Sequence, residues 1–115
     1  MTDIKKTYKN YVHGKFVRSE SGKVYSVDLK EEKYEIPLTS KKDLRDAVTS
    51  SKEGFKNWNQ LTMYNRSQIL YRLSEMIEGN KESYISLLQD HGLSKLDSKN
   101  DINHAVDTIV WYAGL

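Results

Sequence analysis

Cysteine is absent from the 115 residues of this chain. That excludes a disulfide framework, a thiolate zinc site and a thiol nucleophile drawn from these residues, and it fits a reducing, intracellular compartment. No apolar run approaches the length needed to span a bilayer. The N-terminus lacks the apolar core and small-residue cleavage site of a secretory signal. A strong charge of one sign is missing too: 18 basic and 16 acidic residues leave a net charge of +2. The charges are mixed along the chain, so there is no clustered basic face for nucleic acid. These absences lead us to expect a soluble cytoplasmic protein with neither a nucleic-acid nor a membrane partner.

Proline occurs once and glycine six times, and 37% of the residues are apolar. That composition argues against disorder. The length suits one domain of modest core. Residues 1–9, with Lys5, Lys6 and Lys9, read as a flexible, solvated tail. The single domain is then 10–115, with a β-hairpin region over 10–38 and a helical array over 40–115.

Asn10 to Arg18 reads as a strand, and Ser19-Glu-Ser-Gly22 as a turn with Gly22 free to take positive φ. Lys23 to Leu29 reads as the return strand, with Tyr25, Val27 and Leu29 on one face. Tyr34 to Leu38 is a short third strand, which Pro37 assigns to an edge because proline cannot donate to a ladder. Four helices follow. Ser40 caps the first, with Asp43 in the capping-box position, and Leu44, Ala47, Val48, Ser51, Phe55 and Trp58 share one face. Thr62 caps the second, whose stripe is Ile69, Leu70, Leu73, Met76 and Ile77, and Gly79 ends it. Asn80 caps a third that closes at His91-Gly92. Ser98, with Asp101, starts a fourth whose stripe is Ile102, Ala105, Val106, Ile109 and Ala113. The fold class is therefore α+β, mainly α: a hairpin followed by about four helices.

Six segments in order carry a resemblance. Tyr11-Val-His-Gly-Lys-Phe-Val17 and Ser19-Glu-Ser-Gly22-Lys-Val-Tyr25 form an opening strand, turn and return. Lys42-Asp43-Leu-Arg-Asp46-Ala47-Val48 begins a helix that ends in Phe55-Lys-Asn-Trp58. Tyr64-Asn65-Arg66-Ser-Gln-Ile69-Leu70 opens the next, and Asp107-Thr-Ile-Val-Trp111-Tyr112-Ala113-Gly114 closes the chain. Together they resemble the N-terminal segment of the aldehyde dehydrogenase superfamily. There are departures: Asp90-His91-Gly92-Leu93-Ser94 stands where the family often has Asp-x-Gly-Lys-Pro, and Glu31 to Glu35 replaces an Asn-Pro turn.

The resemblance implies an enzyme that oxidises aldehydes with NAD or NADP. It needs a cysteine nucleophile, a glutamate base and preorganised oxyanion donors. None of them maps onto this chain, which is expected to be truncated before the nucleotide-binding and catalytic motifs. The glycines, at Gly14, Gly22, Gly54, Gly79, Gly92 and Gly114, are scattered and form no phosphate-cradling loop. Gly54 lies inside a helix at a cost of about 1 kcal/mol relative to alanine, and close packing is the expected reason.

Other constellations carry little. His13, His91 and His104 share no ligand spacing. Asp43/Asp46 and Glu75/Glu78 read as exposed helical neighbours, with nothing apolar around them to raise a pKa. Catalytic, cofactor and metal residues are therefore none. Four residues are assigned structural roles: Arg66 as an anchor for the second helix, and Trp58, Trp111 and Tyr112 as core or interdomain packing. The reading is an N-terminal fragment or subunit of an NAD(P)-dependent aldehyde dehydrogenase, inactive and without cofactor by itself. Its expected partner is a chain carrying the remaining dehydrogenase domains, or another copy of itself. The alternative is a non-catalytic helical interaction module that pairs with or regulates a complete dehydrogenase.

Overall fold

The structure is a computed structural model that describes residues 3–115. Its architecture is α+β and mainly α, in two compact units that meet in sequence between Gln60 and Leu61. No helix among the described residues is long and apolar enough to cross a membrane.

The first unit holds five strands and one helix: β1 (Ile4–Thr7), β2 (Asn10–Val12), β3 (Lys15–Val17), β4 (Val24–Leu29), β5 (Glu32–Pro37) and α1 (Lys41–Gln60). The expected pairing of 10–18 with 23–29 is not what forms. The stretch from Asn10 breaks at His13-Gly14, whose φ values of 56° and 74° make a two-residue mirror-image turn. β2 and β3 therefore pair with each other, with Tyr11 opposite Phe16 and their rings 4.9 Å apart. β4 instead pairs with β5 through a second tight turn at Lys30-Glu31, with Leu29 opposite Glu32. Both turn residues are left-handed, at φ 49° and 65°, yet neither is glycine or asparagine. The usual composition signal for such a turn is therefore missing.

β5 is the central strand of a three-stranded sheet ordered β1-β5-β4, which corrects its assignment to an edge. Pro37 is accommodated by the ladder's alternation. Leu38 donates its N–H to the Lys23 carbonyl at 2.9 Å, which makes Lys23 and Leu38 a hydrogen-bonded pair. The adjacent pair, Val24 and Pro37, is then a non-bonded one. The proline nitrogen faces the β1 side, beyond the last β1 contact, where Tyr8 donates to the Glu35 carbonyl. β1 itself runs parallel to β5, with a register break between Ile4 and Lys6. It occupies much of the expected tail; Met1 and Thr2 of that tail lie outside the described residues. Tyr8 stacks on buried Tyr34 at 5.9 Å. Burial first, and the neighbouring Tyr34 second, raise the Tyr8 phenol above its ordinary pKa.

The start of α1 forms as expected. Asp43 donates its N–H to Ser40 Oγ at 3.2 Å, and Ser40 donates its N–H to Asp43 Oδ2 at 2.9 Å, a reciprocal capping box. The Asp43 carboxylate also gathers the preceding loop. It accepts from the hydroxyl of buried Ser19 at 2.5 Å and from the N–H of Glu20 at 3.0 Å. Ser19, then Ser40 and Glu20, hold its carboxyl at about 2, below the usual 3.8. Along the rest of α1 no residue is buried, and Leu44 and Phe55 stand exposed.

The second unit is three helices: α2 (Met63–Gly79), α3 (Lys81–Asp90) and α4 (Lys95–Ala113). α4 packs on both α2 and α3. Thr62 caps α2 by accepting from the Asn65 N–H at 3.1 Å. Asn80 stands at the N-cap of α3 as expected but makes no side-chain cap bond there; its side-chain amide donates back to the Met76 carbonyl at 2.9 Å and helps close α2. Asn80, rather than Gly79, is therefore the C-cap residue of α2. α3 does close at His91-Gly92, where Gly92 takes φ 107° and the N–H of Leu93 reaches the Leu88 carbonyl. α4 begins a turn earlier than expected, capped by Ser94, whose hydroxyl accepts from the Asp97 N–H at 3.0 Å. Ser98 is a fully buried interior residue of that helix.

Candidate functional site: an uncovered apolar surface on the helical unit

Ile85 and Ala113 are buried, and Leu70, Ile77, Leu88, Ile102, Ala105, Val106 and Ile109 are half-buried among the three helices. Small residues allow the helices to approach. Ser74 and Ser98 are buried, and each turns its hydroxyl onto a carbonyl of its own helix, Tyr71 at 2.6 Å and Ser94 at 2.7 Å. A buried hydroxyl satisfied in this way needs no partner across the interface.

Two side chains fix the ends of this packing. Arg66 Nη1 donates to the Leu61 carbonyl at 2.7 Å. Its neighbour Ser67 donates to the carbonyl of Ala113 at 2.7 Å. The last four carbonyls of a helix have no partner within it, so Ser67 satisfies one that α4 leaves open. Ser67, Ser74 and Ser98 were not singled out from the sequence. The available signal is their i, i+7 spacing on α2 and the position of Ser98 on the apolar stripe of α4.

The apolar residues of α2 divide into two groups. Leu70 and Ile77 turn inward, while Ile69, Leu73 and Met76 are exposed. The expected single stripe was therefore too wide: at 3.6 residues per turn, positions 69, 73 and 76 form a row of their own. At the end of α4, Trp111 is 62% exposed and Tyr112 58% exposed, packed edge-on with ring centroids 4.9 Å apart. Trp58 is half-buried near the end of α1, in the other unit. Of the four residues assigned structural roles, Trp111 and Tyr112 touch each other, and Arg66 acts one residue from the Ser67 clasp that holds their helix end.

A cavity of about 280 Å³ in the strand unit is lined by Thr7, Tyr8, Arg18, Ser19, Lys23 and Glu35, among others. Thr7 already donates to Glu35 Oε1 at 2.7 Å, and Ser19 is engaged by Asp43. Among the described residues no group of three or more His, Asp or Glu side chains is placed to hold a metal. What the arrangement can do chemically is bury surface. Exposed apolar rows of this kind mark contact sites.

The model of the aldehyde dehydrogenase family matches residues 16–115. The malonate-semialdehyde dehydrogenase 2 of Bacillus mycoides is 30% identical over 112 residues, covering 94% of this chain and 23% of that protein. In shape the chain is similar to an NAD-dependent aldehyde dehydrogenase from Sinorhizobium meliloti. There the TM-score is 0.81 and the identity 21%, over 99% of this chain and 24% of that one. It is also similar to an NADP-dependent glyceraldehyde-3-phosphate dehydrogenase from Bacillus halodurans. That TM-score is 0.83 and the identity 22%, over 94% and 24% of the two chains. The chain spans about a quarter of the length of the curated relatives it matches.

Proposed function

This chain belongs to the aldehyde dehydrogenase family, and from that premise we propose that it is the N-terminal segment or subunit of an NAD(P)-dependent aldehyde dehydrogenase. Its role is architectural: the helices supply a wall against which the cofactor-binding and catalytic parts of the enzyme are built. The match of residues 16–115 to the family carries the reading. The lack of any cysteine within the 115 residues adds that the nucleophile must come from other residues.

The exposed Ile69, Leu73 and Met76 row and the Trp111–Tyr112 pair are the surface that the remaining polypeptide would cover. By itself the chain neither holds the nicotinamide cofactor nor oxidises aldehydes. The pure chain, mixed with NAD or NADP and a panel of aldehydes, will form no reduced cofactor; measurable turnover would sink the proposal. Affinity capture from its own cell extract, read by intact mass, will recover a larger polypeptide with the cysteine and glutamate motifs. Capture of the chain alone would favour the rival reading, a non-catalytic helical interaction module.

A further inference from the structure

We draw no further inference here: the strongest candidate, the exposed apolar face that Leu44, Val48 and Phe55 form along α1, belongs to a chain that spans about a quarter of its relatives' length, and nothing in the structure shows what covers it.

Discussion

Ser67 near the start of α2 donates its hydroxyl to the carbonyl of Ala113 in the last turn of α4, at 2.7 Å. Ala113 is buried, so water does not readily replace the lost donor. Ser67→Ala is expected to destabilise the helical unit by about 1–2 kcal/mol, the cost of a buried acceptor left unpaired. Urea unfolding followed by circular dichroism measures it. A midpoint unchanged from the parent would mean that the clasp contributes nothing.

Asp43 makes stability depend on acidity. Its folded carboxyl titrates at about 2, against 3.8 for the free group. A depressed carboxylate stabilises the fold above its unfolded pKa and loses that contribution as pH falls through the folded one. The stability difference between the parent and Asp43→Asn should therefore be constant near neutrality and shrink as pH falls from about 5 toward 2. A difference that stays constant over this range would show that the Ser19, Ser40 and Glu20 contacts do not act on the charged form.

The Lys30-Glu31 turn holds two L-residues in the left-handed region. Glycine adopts that conformation without the Cβ clash, so Glu31→Gly should raise stability by roughly 1 kcal/mol. A fall in the thermal midpoint would show that the Glu31 side chain contributes more than its backbone costs.

Gly54 contradicts the close packing expected around it, since a Cβ built there meets nothing within 4 Å. Gly54→Ala should then stabilise α1 by about 1 kcal/mol, the difference in helix propensity. If a partner polypeptide approaches α1 at this point, the same change will weaken its capture while stabilising the chain alone.

Much of the helical structure was legible because its signals are local. Thr62 and the Ser40–Asp43 pair act over three residues, and both cap the helices expected of them. The boundary of α4 was missed: Ser94 supplies the cap, and Ser98 lies buried inside the helix. The strand pairing was misread at His13-Gly14, where alternation ran straight through a turn, and at Lys30-Glu31, where no turn residue stands. The Ser67 bond was not readable, because its acceptor lies 46 residues away.

The sequence by itself determined the family, the four helices and the caps at Ser40 and Thr62, since propensity and capping need only near neighbours. Tertiary structure alone decided that β5 is central, that β4 pairs with it, and that Leu70 and Ile77 rather than Ile69 and Leu73 turn inward. These choices follow from which surfaces meet, and an apolar residue has no preferred partner until the chain brings one to it.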